Sequence, residues 1–277
     1  MDVICEQFDG PLIVIDIGAA GQFKDLPNLA RRCELHLVEP RVNAMTTSDP
    51  AYAAVHRHDL ALAGAAGERK LYLTANAYGS SMLRPNPSVV ERWQADHLLG
   101  VVSEATLSCI TLDEFARRFG VRRIDYLKLD TQGTELEILR GGADVLERTS
   151  IVRTEVEFVE LYEGQPLYDD MISDLNSRGF RFVDFYDGEK FGGPERPKRI
   201  WADALFARRG LRGDRLLKAA AVMMQLGYWT DALWMMQDGG IDPALIHKLH
   251  LPRNTSRGAY PRTIKNLAKF LLGRLPR

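Results

Sequence analysis

Cysteine is scarce in this chain. Three occur among 277 residues, Cys5, Cys33 and Cys109, and their spacing fits neither a disulfide framework nor a thiolate metal site. A reducing, cytoplasmic setting is the simple expectation. Long apolar runs are missing too: the run 12–17 has strand length, far short of the roughly 20 apolar residues of a membrane-spanning helix. No basic segment followed by an apolar stretch opens the sequence, so no signal peptide is expected. The formal net charge is −1, and no nucleic-acid partner is expected. Acids are absent after Asp242, whereas Arg253, Arg257, Arg262, Lys265, Lys269, Arg274 and Arg277 follow it.

What is present is an alternation. "PLIVIDIG", "ELHLVEP", "AAVHRHDLALA", "RRIDYLKLD", "SIVRTEVEF" and "FRFVDFY" read as strands. Helical segments such as "DLPNLARRC", "TELEILRGGADVLER" and "LYDDMISDLNSRG" separate several of them. Strands separated by helices imply βαβ units and a doubly wound, mostly parallel sheet. "IWADALFARR" follows the sixth strand across a Gly- and Pro-rich link too short for a crossover helix, so an antiparallel finish is expected. "GERKLYLT" reads as a short edge hairpin, and 76–93 as a long loop that serves as lid or substrate wall. Residues 1–210 form the α/β domain in this reading. Residues 211–252 add a helical hairpin rich in Met and Trp, and 253–277 a basic amphipathic tail. The stripe of that tail suits packing on its own protein or a partner helix, as in a homo-oligomer. Peripheral contact with an anionic membrane is the alternative.

The chemistry gathers at strand ends. Asp16-x-Gly18-x-x-Gly21 follows the first strand, where a doubly wound fold places its ligand, and glycine lets backbone approach that ligand. Glu39 ends the second strand and suits a ribose diol. A dinucleotide fold wants G-x-G-x-x-G facing a pyrophosphate, but Asp16 stands where the first glycine is needed. Acids at four strand ends (Asp16, Glu39, Asp59, Asp130) favour instead a ligand with an ammonium group and no phosphate. S-adenosylmethionine is such a ligand.

"VIDIGAAG", "LHLVEP", "ITLDEF", "YLKLDTQGTELEILRGG" and "TEVEFVELYEGQPLYDD" together resemble the FkbM-type S-adenosylmethionine-dependent methyltransferases, over roughly residues 10 to 208. The resemblance implies a class I methyltransferase (Rossmann-like) fold of seven strands with the last antiparallel. It also implies O-methylation of a sugar, glycolipid, polysaccharide or natural product. Ala20 and Gln22 depart from the family's turn, which commonly carries Asn and Gly there.

Residue by residue, resemblance and chemistry assign Asp16, Gly18 and Ala19 to the methionine end, Glu39 to the ribose and Asp59 to the adenine edge. Methyl transfer to an alcohol needs an in-line approach and a base for the hydroxyl proton. Asp130, Glu135 and Glu155 are the candidates; Glu155 and Glu157, two apart on one strand, share a face. Ser81, Glu157, Tyr162 and Gln165 are candidate acceptor contacts. These acids could instead hold Mg²⁺ or Ca²⁺, a lesser reading because no ligand spacing is diagnostic. Thr134-x-x-Glu137 and Thr111-x-x-Glu114 read as capping boxes, Lys128 as the partner of an acid, and His58 as a surface or turn histidine. Two other functions share the architecture: a nicotinamide-dependent sugar oxidoreductase, and a non-catalytic module that docks through its C-terminal helices.

Overall fold

The computed structural model describes residues 2–21, 23–40, 52–191 and 198–249; the basic tail lies outside them. The chain enters through a short helix α1 (Asp2–Cys5) and then builds β1 (Leu12–Ile17), β2 (Cys33–Val38) and β3 (Ala54–His58). β2 and β3 pair in parallel in the order β3-β2-β1. The helix expected between β1 and β2 is a single 3-10 segment, Pro27–Arg32, started by its proline.

From β3 the chain passes directly into β4 (Ala61–Leu62) and β5 (Gly67–Thr74), then α2 (Pro87–Trp93), α3 (Asp96–Leu99) and β6 (Val101–Ile110). β4, β6 and β5 form a separate three-stranded sheet. The expected hairpin partner of β5 is therefore β6, a strand whose pattern is mostly exposed. Nor is 76–93 an open lid. Bridges Tyr72–Ser81 and Pro85–Tyr162 pin it at two points, and Asn86 caps α2 by accepting from the Ser88 amide.

The main sheet resumes with α4 (Leu112–Arg118), β7 (Ile124–Leu129), α5 (Glu135–Arg140), α6 (Ala143–Leu146), β8 (Thr149–Glu157), α7 (Tyr168–Ser177), β9 (Phe180–Phe191) and β10 (Lys198–Arg208). Its order is β3-β2-β1-β7-β8-β10-β9. β7 and β8 run parallel to β1, and β10 is antiparallel to both of its neighbours. This is the seven-stranded class I methyltransferase arrangement, with the last strand inserted antiparallel. Every residue of β8 is buried, as a central strand covered on both faces must be.

Two cores flank the sheet because successive side chains leave a strand on opposite faces. Ile15, Ile17, Leu127 and Leu129 pack under α4, α5, α6 and α7. Val14, Leu35 and Tyr126 pack on the other face under α8 (Gly213–Gln225), whose run 219–224 is buried throughout. With only a 3-10 turn after β1, that face lacks the cover an α-helix would give, and α8 supplies it. α9 (Trp229–Asp238) and α10 (Pro243–Lys248) complete this layer. No helix among the described residues is long and apolar enough to cross a membrane.

Candidate active site

β1 and β7 are neighbours although two strands have been laid on the far side of β1, so the strand order reverses between them. Doubly wound sheets bind ligands at the carboxyl ends of such a pair. An open cleft enclosing about 810 Å³ lies there. Gly18 and Glu39 line it from the first two strand ends, and Asp130, Thr131 and Gln132 from the end of β7. Leu60 and Leu62 line another side, and Leu71, Ser81, Met82 and Leu107 bring in the small sheet and its loop. The walls are thus apolar with acids at the strand ends. No Lys or Arg is among the described lining residues.

The turn after β1 is held by its amides: Gly18 and Ala19 both donate to the Val38 carbonyl, at 3.0 and 3.3 Å. Gly18 has φ +78°, and a Cβ there would lie 1.8 Å from the Asp130 carbonyl oxygen. Its lack of a side chain serves contact with β7, not only approach to a ligand. Ala19 points into the core under α8. Asp16 is also off the cleft wall: it is buried and pairs with Lys128 at 2.9 Å, its register partner across β1 and β7. Burial raises the Asp16 pKa against the pull of Lys128. Burial likewise opposes the Lys128 charge, yet Asp16 and Asp130 hold its pKa above the ordinary value. Asp59 is exposed just past β3 and leaves the lining to Leu60, Ala61 and Leu62.

The strand end 130–135 is a hub. Gln132 sits at φ +57°, a left-handed conformation uncommon outside glycine. Its Nε2 donates to Asp130 Oδ1 at 3.0 Å and to Glu155 Oε2 at 2.7 Å. Its Oε1 accepts from the Tyr162 hydroxyl at 2.9 Å. Ser81 Oγ donates to the Gln132 carbonyl at 2.6 Å and accepts from the Leu83 amide at 2.9 Å. One glutamine thereby ties β7, β8, the 76–93 segment and the loop after β8 together. Nothing in the sequence singled it out except its place in "DTQGTE".

Glu135 closes the turn from below. Oε1 accepts from the Thr131 amide and hydroxyl at 2.6 and 3.0 Å, and Oε2 from the Gly133 amide at 3.0 Å. Thr134 does not cap α5, because its hydroxyl turns back to Thr131. The expected capping box is therefore not formed there, and Glu137 pairs with Arg69 of β5 at 3.1 Å. Thr111 does cap α4, accepting from the Glu114 amide.

Behind Gln132 lies a tight cavity, too small to admit a water molecule, bordered by Glu135, Glu155 and Glu157. Burial pushes Glu135 up to about 7, against the amides that bond it. Burial, and then the neighbouring carboxylates, push Glu155 and Glu157 well above the carboxylate range. Among the described residues, Glu157 Oε1 has no hydrogen-bond partner. Tyr162 is fully buried and Gln165 nearly so, with Gln165 Oε1 accepting from the Tyr162 amide at 2.7 Å. Glu157, Tyr162 and Gln165 therefore support the hub from behind and do not line the cleft, whereas Ser81 does. Asp130, Glu135 and Glu155 do not bring their oxygens into a cation-sized set; among the described residues only Glu34, His36 and His56 form such a group.

The cleft fits S-adenosylmethionine better than a dinucleotide on two observations. Among the described residues, no cation lines it to meet a pyrophosphate, and no α-helix begins at the β1 turn to present amides to one. The apolar walls suit adenine, and Glu39 suits the ribose hydroxyls.

Residues 16–182, well over half of the chain, match the model of the methyltransferase FkbM domain. A stretch of 54 residues is 39% identical to the 2-O-methyltransferase NoeI of Sinorhizobium fredii, covering 20% of this chain and 22% of that protein. Only about a fifth of that relative is therefore spanned. Among solved structures, M. jannaschii TYW2 in complex with AdoMet aligns with 75% of this chain and 73% of its own at 12% identity and a TM-score of 0.28. An rRNA methylase from Streptococcus thermophilus aligns with 75% of this chain and 93% of its own at 12% identity and a TM-score of 0.30. From its strand order and the match over 16–182, the chain belongs to the FkbM family of S-adenosylmethionine-dependent methyltransferases.

Proposed function

We propose that the chain is an O-methyltransferase acting on a hydroxyl of a sugar, in a glycolipid, polysaccharide or natural product. The observation that carries this is the Asp130 carboxylate, on the cleft wall and fixed through Oδ1 by Gln132. S-adenosylmethionine supplies an electrophilic methyl group on a sulfonium. The residues have the remaining work: Glu39 takes the ribose diol, Ile17, Val38, Leu62 and Leu107 exclude water around the base, and Asp130 takes the proton of the attacking hydroxyl through Oδ2. Gln132 positions Asp130, and burial raises the pKa values of the carboxyls behind it, which favours their protonated form. The short match to a protein named 2-O-methyltransferase supports oxygen as the atom methylated.

Tyr78, 70% exposed at the cleft rim beside Ser80, offers a flat apolar face for a pyranose ring. Transfer of labelled methyl from cofactor to a panel of free and lipid-linked sugars tests the proposal. Label in an O-methyl sugar, with Tyr78→Ala raising KM for that sugar and leaving cofactor affinity unchanged, is the expected result. Label found only in nitrogen or carbon products would overturn it.

A further inference from the structure

A second constellation lies on the same sheet, away from the cleft lining. Glu34 and His36 stand two apart on β2, and His56 and His58 two apart on the edge strand β3. The parallel register sets His36 opposite His56, so alternation puts all four side chains on one face. The rings of His36 and His56 stack with centroids 4.6 Å apart. Glu34 Oε1 lies 3.1 Å from His56 Nε2 and 3.7 Å from His36 Nε2, and one donor atom from each of the three residues falls within 4.8 Å of the others. Ligands about 2.0–2.1 Å from a tetrahedral ion are separated by roughly 3.3 Å, so a small contraction closes the set.

We propose that Glu34, His36 and His56 bind a divalent transition-metal ion of the zinc class. Two imidazoles and one carboxylate form an oxygen- and nitrogen-donor set suited to Zn²⁺ and not to Mg²⁺. His58 is the outer support. Its Nε2 lies 3.0 Å from His36 Nδ1, so with the His36 proton on Nδ1 and donated to His58, His36 Nε2 presents its lone pair to the ion. Phe115 and Phe119 pack against His58, with ring centroids at 4.8 and 4.2 Å, and fix its plane. The open side faces a cleft of about 570 Å³ bordered by Glu34, His36, Arg122 and Arg123. A water or a small anion there completes a fourth position.

The ion would clamp the edge strand to its neighbour. That matters for the methyltransferase cleft, because the Glu39 amide donates to the His58 carbonyl at 3.2 Å, and Glu39 lines the cleft. Occupancy therefore stiffens the strand ends that present Glu39.

Zn²⁺ alone is titrated into the full-length, tag-free protein by competition with a chromophoric chelator, and the thermal midpoint is followed in parallel. One ion per chain is expected, with a rise in midpoint and no displacement by a large excess of Mg²⁺. His56→Ala and Glu34→Gln, both at partly exposed positions, should each weaken binding at least about tenfold and abolish the rise while their metal-free midpoints stay close to wild type. Co²⁺ should give a tetrahedral d–d absorption in the wild type that either substitution removes. Absence of binding at micromolar Zn²⁺, binding unaltered in either variant, or displacement by Mg²⁺ overturns the assignment.

Discussion

Gln132 Nε2 lies 2.7 Å from Glu155 Oε2, and the same nitrogen reaches Asp130 Oδ1 at 3.0 Å. The two acids are thus joined by one amide, held in a left-handed backbone conformation by Ser81, Tyr162 and the turn itself. A side chain kept at positive φ costs roughly 1–2 kcal/mol, a cost tolerated when the site needs that geometry.

Replacing Gln132 by Gly or Ala separates the backbone cost from the role of the amide. Gln132→Gly relieves the positive φ and Gln132→Ala does not, so the glycine variant should be the more stable by about 1 kcal/mol in urea unfolding. Both lose the amide, and both should lose about a hundredfold or more in methyl transfer, because Asp130 is no longer positioned. If the glycine variant keeps wild-type rates, the amide bridge is not part of the mechanism.

The buried acids make stability fall as the solution becomes more alkaline. Glu135 is pushed from 4.5 up to about 7, and Glu155 and Glu157 are raised well above their ordinary value, chiefly by burial. An acid whose pKa rises on folding holds its proton more tightly in the folded chain. Its contribution is full below the unfolded value near 4.5 and is lost as pH rises through the folded value. His36 and His58, lowered from 6.5 to about 4 by burial, act only below about 6.5. Between pH 6.5 and 8 the urea midpoint should therefore decline. Glu135→Gln removes the group that titrates in this window and should flatten the slope by up to about 1.4 kcal/mol per pH unit. A midpoint independent of pH in this window would show that the acids ionise as freely folded as unfolded.

Asp16 and Lys128 were legible as an acid near the turn and a cation seeking an acid, but not as partners, because their register pairing belongs to β1 and β7 and is not local in sequence. Removing Asp16 alone takes the hydrogen-bonded partner from Lys128, leaving only the field of Asp130, and should cost up to about 3 kcal/mol. Asp16→Leu combined with Lys128→Met should restore most of that. In the double variant, calorimetry should find cofactor affinity within about threefold of wild type, since neither side chain lines the cleft. A much larger loss would return Asp16 to the methionine end.

The same distinction separates what could and could not be read elsewhere. Apolar runs such as 12–17 and 124–129 announce buried strands, and the short link before β10 announces its antiparallel direction. β6 escaped because both of its faces are largely exposed, so it carries neither an apolar run nor clean alternation. The position of Asp130 beside the cofactor cleft followed from its place at a strand end. Tyr162 and Gln165 read as acceptor contacts because a polar loop residue looks the same whether it faces substrate or a buried carboxyl. His36, His56 and His58 are separated by up to 22 residues, and only the β2–β3 register stacks them. Gln132 was hidden for a related reason: its role depends on a positive φ and on partners from three distant segments.

Asp130 and Glu135 can be told apart as proton acceptors. Both oxygens of Glu135 are engaged by the amides of Thr131 and Gly133, and its cavity lies behind Gln132, away from the cleft lining. Asp130 lines the cleft, and Gln132 holds it through Oδ1. Asp130→Asn keeps an acceptor for Gln132 but cannot take a proton, so kcat should fall by about 10²–10⁴ with cofactor affinity little changed. Glu135→Gln should disturb the turn and lower stability, yet leave kcat of the folded enzyme within about tenfold of wild type. The opposite pattern, with kcat lost in Glu135→Gln and kept in Asp130→Asn, would move the base one turn down the chain and require the inner cavity to open to the acceptor.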